Sequence, residues 1–368
     1  MILGSISIKN RSTEKRTVLS PETIKKLAAQ NIKILINKGY GSQSNISDNE
    51  LVSSGAEIAE EEKIYQDSDI LAKINLEESE KIDLIKTGSI LILNYFDKNN
   101  KEIFNFLLKK NINIFSLDSL PRITRAQSMD ILSSQANLAG YRAVIDSVYE
   151  FNRAVPMMMT AAGTVTPAKF FVIGAGVAGL QAIATAKRLG GVVSATDVRA
   201  ASKEQVESLG GRFVFVESNE NLETAGGYAK EASDEFKKKQ EELLKQTVKS
   251  QDIIICTALI PGKKAPRIIN EEMVLSMKPG SIICDLAAAQ GGNSAFSEPD
   301  KIVEKNGIKI IGYTNFASRI SETASNLLAK NYYNFIQLIY DKESQNVKID
   351  MQDEIVKAVY LGGAHNGN

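Results

Sequence analysis

The chain has 368 residues, of which 43% are hydrophobic, and its 44 basic and 44 acidic residues leave no net charge. This balance argues against nucleic acid or an anionic membrane surface as a partner bound through bulk electrostatics. No apolar leader segment and no run of about 18 uncharged apolar residues occurs, so we expect a chain that is neither exported nor membrane-spanning. The length predicts two domains.

The cysteine and histidine content argues against thiol or metal chemistry. Cys256 and Cys284 lie in apolar runs, where a free thiol usually behaves as a small core residue. The only histidine, His365, lies in the glycine-rich last residues. We therefore expect no metal site and no cysteine nucleophile, and a reducing compartment, the cytoplasm.

Residues 1 to about 125 alternate strand-like and helix-like segments, which predicts a parallel α/β sheet. A serine followed by a proline, Ser20-Pro21, is typical of a helix start. The region contains no glycine-rich phosphate loop. The segments are Ser5–Ile8, Pro21–Gln30, Lys33–Asn37, Asp48–Ser54, Ile70–Ile74, Ser89–Tyr95, Lys101–Lys109 and Ile112–Ser116.

A single long helix from Ala126 to about Phe151 is predicted to join the two domains. Arg122 is expected to precede it, and Gln127, Asp130 and Ser133 to lie near one another at i, i+3 spacing. From periodicity alone, a solvated face with a capping acid explains these polar residues as well as a binding site does.

The apolar, methionine-rich segment Ala154–Pro167 is predicted to form a hairpin. Two interpretations remain open at this point. The hairpin packs in a core, or it reaches a second subunit of a homodimer.

A strand, a glycine turn and a helix follow one another after Lys169. The run from Phe170 to Ile173 predicts a buried strand, and Gly174, Gly176 and Gly179 give G-x-G-x-x-G. In a dinucleotide-binding turn the first glycine permits the bend, the second lets the pyrophosphate approach, and the third lets the helix lie on the sheet. The phosphates would then bind at the N-terminus of a helix that starts near Val177.

An acid follows the next predicted strand. Asp197 lies 18 residues after Gly179, near the spacing expected of a residue that binds the adenosine ribose. Its charge should repel a 2′-phosphate, which predicts NAD(H) rather than NADP(H). Arg199 is the one residue that favours NADP(H), because a basic side chain there could accommodate a 2′-phosphate.

The chain beyond Asp197 continues the α/β pattern. We expect a helix at Ser202–Leu209, a strand at Arg212–Glu217 and a flexible loop at Ser218–Glu231 on the ligand side of the sheet. Tyr228 in this loop is either an exposed aromatic residue or part of a lid.

Another strand, Asp252–Ala258, places Thr257 and Ala258 at its carboxyl end, where the nicotinamide half of a dinucleotide passes in this fold. A long amphipathic helix after Ala317 is expected to return the chain to the first domain. The predicted fold class is α/β, with two Rossmann-like domains that have parallel sheets and are joined by long helices. The predicted domains are 1–132 with 314–368, and 133–313.

Four motifs in order resemble the NAD(H)-binding subunit of proton-translocating nicotinamide nucleotide transhydrogenase, and the resemblance covers nearly the whole chain. They are PRITRAQSMDILSSQANLAGYRAV, ATDVRAASKEQVESLGGRF, ETAGGYAKE and TALIPGKKAP. The resemblance implies that NADH binds here and that hydride passes to NADP+ on a partner subunit. It also implies coupling to proton movement through a membrane subunit, and a separate soluble chain held at the inner membrane by its partners.

The resemblance also implies roles for individual residues. Arg122, Asp130 and Ser133 would hold the nicotinamide end, and Gln127 would lie between the two nucleotides. Asp197, Val198 and Arg199 would bind the adenosine ribose. Gly227 and Tyr228 would belong to a mobile lid loop.

Alanine dehydrogenase has a similar fold and is the main alternative. Its reaction needs a positioned acid or base. Here LILNYF lacks the histidine that those relatives carry, and Ala289 stands where they have an aspartate. Arg16 and Lys73 resemble substrate-binding groups and are expected to be fold relics or ion-pair partners. Hydride transfer between two nicotinamides needs orientation of two rings and no proton donor.

A third hypothesis is a non-catalytic NAD(H)-binding module that regulates a partner. The polar residues from Arg122 to Ser133 count against it, because a sensor need not present the nicotinamide ring.

Overall fold

The computed structural model describes residues 1–8, 13–77, 81–97, 100–216, 233–260 and 263–363. The chain divides into two compact units. Unit 1 comprises Met1–Gln135 and Ser318–Asn368, and unit 2 comprises Ala136–Ala317. Each unit has a sheet with predominantly parallel strands, so the predicted fold class is confirmed.

The strands of the described residues are β1 (Ile2–Ser5), β2 (Lys33–Ile36), β3 (Ala56–Ile58), β4 (Ile70–Lys73), β5 (Ile90–Leu93), β6 (Asn113–Ser116), β7 (Met158–Thr160), β8 (Gly163–Val165), β9 (Lys169–Ile173), β10 (Val192–Thr196), β11 (Arg212–Phe213), β12 (Ile253–Cys256), β13 (Ile282–Asp285), β14 (Ile302–Lys305), β15 (Ile308–Ile311), β16 (Tyr340–Asp341), β17 (Asn346–Val347) and β18 (Tyr360–Gly362).

The α-helices of the same residues are α1 (Pro21–Ala28), α2 (Asp48–Ser53), α3 (Glu61–Asp67), α4 (Lys101–Lys109), α5 (Ile131–Glu150), α6 (Val177–Arg188), α7 (Ser202–Ser208), α8 (Asp234–Val248), α9 (Glu271–Leu275), α10 (Ser321–Ile339) and α11 (Glu354–Val359). Short 3-10 segments lie at Ser42–Ser44, Ile82–Leu84, Leu117–Ser119, Thr124–Met129, Ala288–Gln290 and Ala317–Ile320. None of the helices among the described residues has the length and apolarity that a bilayer crossing requires.

Unit 1 is built on a seven-stranded sheet with the order β18-β6-β5-β4-β1-β2-β3. All neighbours are parallel except β18, which pairs antiparallel with β6. The first strand begins three residues before the predicted Ser5–Ile8, because Leu3 aligns with both Ile34 and Ile70. A buried face of the sheet packs on α10, where the Phe115 and Phe335 ring centroids are 5.3 Å apart.

The predicted start of α1 is confirmed. Ser20 accepts a hydrogen bond from the Thr23 backbone, the Thr23 side chain bonds back to Ser20, and Pro21 is the first helical residue. A cap of this type contributes about 1 kcal/mol to helix stability.

Unit 2 is built on a seven-stranded sheet with the order β11-β10-β9-β12-β13-β15-β14. The strands are parallel except for the edge strand β14. The strand order reverses between β9 and β12, and in open α/β sheets ligands bind at the carboxyl ends of the strands beside such a reversal. Residues 174–176 and 257–258 follow these two strands.

The single helix predicted from Ala126 is interrupted. Residues Thr124–Met129 form a 3-10 segment, and α5 begins at Ile131. The cause is Asp130, which has an extended ψ of 95° and whose carboxylate accepts a hydrogen bond from the Ser133 backbone at 2.9 Å. An aspartate in this position caps a new helix rather than continuing the previous turn.

The predicted methionine-rich hairpin is present, with β7 and β8 antiparallel and Met159 opposite Thr164. Met157 and Met159 are 61% and 81% exposed. This exposure in the isolated chain argues against the core interpretation of the segment.

Candidate functional site

The turn after β9 has a shape that only glycine adopts readily. Gly174 has φ +94°, and its N–H donates to the Thr196 carbonyl at 2.8 Å. A Cβ atom at this position would lie 2.7 Å from Thr257 Oγ1. Both the backbone angle and the neighbouring strand end therefore require glycine here.

The third glycine of the motif is required by helix packing. A Cβ atom on Gly179 would lie 1.8 Å from the Gly174 carbonyl oxygen. The first turn of α6 thus rests directly on the glycine turn, as the motif predicts.

The second glycine of the motif, Gly176, is not required by the packing of the protein itself. Gly176 has φ −77°, which any residue can adopt, and no heavy atom of the described protein lies within 4 Å of a Cβ built on it. No described side chain caps α6 at Gly176. The first N–H groups of a helix carry partial positive charge and bind anions. The turn therefore offers an open backbone cradle that fits a pyrophosphate, and Val177 beside it is 42% exposed.

The acid predicted to bind ribose lies directly after β10 and bonds to the same turn. Asp197 Oδ2 accepts from the Ala175 N–H at 2.7 Å and from the Arg199 guanidinium at 2.8 Å. Its Oδ1 accepts from Arg199 N and Nε at 2.9 and 2.8 Å. Burial alone would raise the pKa of Asp197, but these hydrogen bonds and the Arg199 charge outweigh burial and lower the pKa. The carboxylate is ionised at neutral pH.

The end of β12 is fixed to the glycine turn and to a loop that follows β13. Thr257 Oγ1 donates to the Gly174 carbonyl at 2.9 Å. Ala258 is bonded through both main-chain groups to the side chain of Asn293. Because both main-chain groups of Ala258 are already bonded, its contact with a dinucleotide would be apolar. Thr257 stabilises the glycine turn through its hydrogen bond to Gly174.

Asn293 supports the candidate site through Ala258, and the sequence analysis did not single it out. It is fully buried, and its side chain donates to the carbonyls of Ala258 and Pro266 at 2.8 and 2.9 Å. Buried Asp285 holds the same loop by accepting from the Ser294 N–H and the Ser297 hydroxyl. The sequence offered one signal for it: Asn293 is a polar residue that directly follows Gly291-Gly292, in the loop after a strand that ends in aspartate.

Four further predicted residues belong to unit 1. Asp130 and Ser133 are brought together, because Ser133 Oγ donates to Asp130 Oδ2 at 2.5 Å. Arg122 and Gln127 are exposed, and Gln127 lies in the 3-10 segment rather than in α5. Arg125 bonds to Asp353 at 2.6 and 3.0 Å. Asp130 therefore caps α5, as one of the two interpretations of these polar residues predicted.

The predicted lid residues Gly227 and Tyr228 lie outside the described residues.

Unit 1 also has a reversal of strand order, between β1 and β4, and the last residues of these two strands, Ser5 and Lys73, are buried. Ser5 Oγ lies 2.8 Å from the Tyr40 hydroxyl. Lys73 is 1% exposed, its Nζ lies 5.8 Å from the centre of the Tyr65 ring, and its carbonyl accepts from the Tyr332 hydroxyl at 2.6 Å.

Arg16 is held by an internal carboxylate. Its Nε and a terminal nitrogen donate to the two oxygens of Glu14 at 2.8 and 2.6 Å. A third nitrogen donates to Gln135 Oε1 at 2.9 Å. Arg16 is therefore an ion-pair partner, which was one of the two roles expected for it.

The strand, glycine turn, helix and strand-end acid of unit 2 define a protein of the Rossmann class. Residues 8–139 match the family description "Alanine dehydrogenase/PNT, N-terminal domain", and residues 143–366 match "Alanine dehydrogenase/PNT, C-terminal domain". The chain belongs to this alanine dehydrogenase and transhydrogenase family.

Its similarity is greater to the transhydrogenase members. It is 52% identical over 361 residues to a protein of Rhodospirillum rubrum named as the first portion of NAD(P) transhydrogenase subunit alpha, with 96% of this chain and 94% of that protein covered. It is 43% identical over 353 residues to the protein of the same name from Rickettsia prowazekii, with 95% and 91% covered. Alanine dehydrogenase of Methanococcus maripaludis is 24% identical over 351 residues, with 92% of this chain and 88% of that protein covered.

Solved structures agree with this placement. The crystal structure of transhydrogenase from Sinorhizobium meliloti superposes with a TM-score of 0.89, at 43% identity and with 99% of each chain covered. An L-alanine dehydrogenase structure has a TM-score of 0.81 at 20% identity, with 100% of this chain and 96% of that chain covered, which demonstrates a shared fold.

Proposed function

We propose that this chain is the NAD(H)-binding subunit of a proton-translocating transhydrogenase, which passes hydride from NADH to NADP+ held by a partner subunit. The observation that carries the proposal is the difference among the three glycines. Gly174 and Gly179 are required by the protein's own packing, whereas Gly176 borders open space at a helix N-terminus. A glycine that the fold does not need is explained by a ligand that approaches the backbone.

The residues of unit 2 bind and orient the dinucleotide. The N–H groups at the start of α6, near Val177, bind the pyrophosphate. Asp197, with Val198 and Arg199 beside it, binds the adenosine ribose. Thr257 and Ala258 border the path of the nicotinamide half.

The residues that act on the nicotinamide end are proposed from the resemblance to transhydrogenases. Arg122, Asp130 and Ser133 hold this end, and Gln127 lies between the two nucleotides. Gly227 and Tyr228, which lie outside the described residues, would belong to a lid loop, as the resemblance implies. In these roles Gln127 and Tyr228 are the residues that touch the reacting nucleotides.

Bound NADH supplies the hydride, so the chain itself needs no acid, base or nucleophile. The buried groups near the strand ends agree with such a passive role. Burial raises the pKa of the Cys256 thiol well above its ordinary value and that of Tyr40 to about 12. Neither group ionises near neutral pH, so neither supplies a thiolate or a phenolate base there.

An alanine dehydrogenase activity is the second candidate, and the ion pair in unit 1 disfavours it. A keto acid needs a cation for its carboxylate, but both oxygens of Glu14 already bond the Arg16 guanidinium. Lys73, which is 1% exposed, has its Nζ 5.8 Å from the centre of the Tyr65 ring.

The assembly follows from the proposed activity. The chain works with an NADP(H)-binding subunit and a membrane subunit that conducts protons, in the cytoplasm and at the inner membrane. The exposed methionines of the β7–β8 hairpin are the surface proposed to reach a second copy in a homodimer.

One absorbance assay with two conditions, together with a direct binding measurement, separates these functions. Purified chain is mixed with NADH, the NADP(H)-binding subunit and a thionicotinamide analogue of NADP+, whose reduced form absorbs at a different wavelength from NADH, or with NADH, pyruvate and ammonia. Hydride transfer in the first condition alone supports the proposal, whereas turnover in the second supports the dehydrogenase. NADH binding without turnover in either condition would indicate a non-catalytic module.

A further inference from the structure

Asp197 has no acceptor site left for a ribose. Its two oxygens receive four N–H groups, three from Arg199 and one from Ala175. An ionised carboxylate offers about four lone-pair sites. A ribose diol that bonds to this carboxylate must therefore displace at least one of the present donors.

The guanidinium of Arg199 is the donor that can leave. The other two donors are backbone N–H groups, which the turn after β9 and the chain after Asp197 hold in place. The Arg199 side chain is 19% exposed and is attached through rotatable bonds, whereas that of Asp197 is 7% exposed. Displacement leaves a positive charge beside the ribose, next to the position of a 2′ substituent.

We propose that Arg199 sets the nucleotide selectivity of this site by competing with the ribose diol for Asp197 and, once displaced, pairing with a 2′-phosphate. This inference rests on the proposed NAD(H) function and goes beyond it. Asp197 alone would reject a 2′-phosphorylated dinucleotide through charge repulsion and the loss of a hydroxyl donor. The displaced guanidinium offsets part of that rejection, since it pairs with phosphate in a bidentate manner. The pair therefore weakens NADH binding and strengthens NADPH binding relative to an isolated aspartate.

The test compares the dissociation constants of NADH and NADPH by fluorescence titration of the full chain. Arg199→Ala should bind NADH several-fold more tightly than the wild type, because the internal competitor is gone. It should bind NADPH more weakly by about tenfold or more, the effect of losing a charge-assisted hydrogen bond. Arg199→Lys should bind NADPH with intermediate affinity, because lysine retains the charge but not the bidentate geometry.

Arg188→Ala is the matched control, since Arg188 is an exposed arginine at the opposite end of α6. It should leave the ratio of the two dissociation constants unchanged. Equal weakening of NADH and NADPH by Arg199→Ala would assign Arg199 a merely structural role and overturn the inference. A wild-type chain that binds neither nucleotide would overturn the proposed function as well.

Discussion

The side chain of Asn293 bonds both main-chain groups of Ala258. Its Oδ1 accepts from Ala258 N at 3.0 Å, and its Nδ2 donates to Ala258 O at 2.8 Å. The same Nδ2 donates to Pro266 O at 2.9 Å, and Asn293 is fully buried. One amide thus joins the end of β12, the segment after it and the loop after β13.

Asn293→Asp should destabilise unit 2. The side chain keeps its size but loses both donors and places a carboxylate against two carbonyl oxygens. Leaving such buried groups without partners costs about 1–3 kcal/mol. Thermal unfolding followed by circular dichroism should show a lower midpoint.

Asn152→Asp is the control for this change, because Asn152 is an exposed asparagine of unit 2. It should leave the midpoint nearly unchanged. Equal midpoints for wild type and Asn293→Asp would show that the amide bonds do not hold the strand end.

Gly176→Ala should separate ligand binding from folding. A methyl group there meets no described atom. Alanine caps a helix less well than glycine by about 1 kcal/mol, but at a φ of −77° it also lowers the entropy of the unfolded chain, which offsets about 0.4–1 kcal/mol. The unfolding midpoint should stay near that of the wild type. The methyl group would meet the pyrophosphate, so NADH affinity should fall by about tenfold or more, which corresponds to ~1.4 kcal/mol.

Gly179→Ala is the counterpart, since its methyl group would meet the Gly174 carbonyl. It should lower the unfolding midpoint even without nucleotide. Unaltered NADH affinity in Gly176→Ala would remove the phosphate site from this turn.

Asp197→Asn should weaken NADH binding by about 1.5–3 kcal/mol, the range for hydrogen bonds to a charged group. The amide offers one acceptor oxygen in place of two and carries no charge. Isothermal titration of NADH measures the effect directly. An unchanged dissociation constant would contradict the ribose assignment.

The pH dependence of NAD+ binding should report the Asp197–Arg199 pair. The pKa of Asp197 is lowered, so the charged form that binds ribose persists as the pH falls below the ordinary aspartate range of about 4. Burial raises the pKa of Asp197, and Arg199 is the main group that lowers it. In Arg199→Ala the pKa of Asp197 should therefore be higher, so the affinity of this variant for NAD+ should begin to fall at a higher pH than that of the wild type. Titrations of both proteins with NAD+ at several pH values test this. If the affinities of wild type and Arg199→Ala fell over the same pH range, Arg199 would not control the ionisation of Asp197.

Gln127→Asn should slow hydride transfer by roughly tenfold to a hundredfold while NADH affinity stays nearly constant, because its proposed role is geometry at the second ring. Gln127 is exposed, so the fold should tolerate the change. Turnover with the NADP(H)-binding subunit and NADH titration are measured side by side. Gln352→Asn, an exposed glutamine of unit 1, is the control, and a matching loss in binding would refute the role.

The sequence predicted those features that local chemistry determines. The glycine turn, Asp197 after β10 and the cap at Ser20 depend on residues close in the chain. Short edge elements such as β3 and β18 were missed, because two or three residues carry no periodicity and pair only through the sheet.

Features that depend on distant partners could not be predicted. Asn293 and Ala258 are 35 residues apart, and only the folded sheet brings them together. The break before α5 was missed because Asp130 fits a helical pattern equally well as a cap or as an interior residue. The donors that fill the Asp197 carboxylate likewise emerge only from the turn geometry.

Direct passage of hydride between two nicotinamide rings is tested most sharply by isotope transfer in a single turnover. The chain is mixed in ordinary water with NADH carrying deuterium at both C4 positions, the NADP(H)-binding subunit and NADP+. Mass spectrometry of the NADPH should find one transferred deuterium in each molecule. NADPH that carries hydrogen from water at that position would contradict direct transfer.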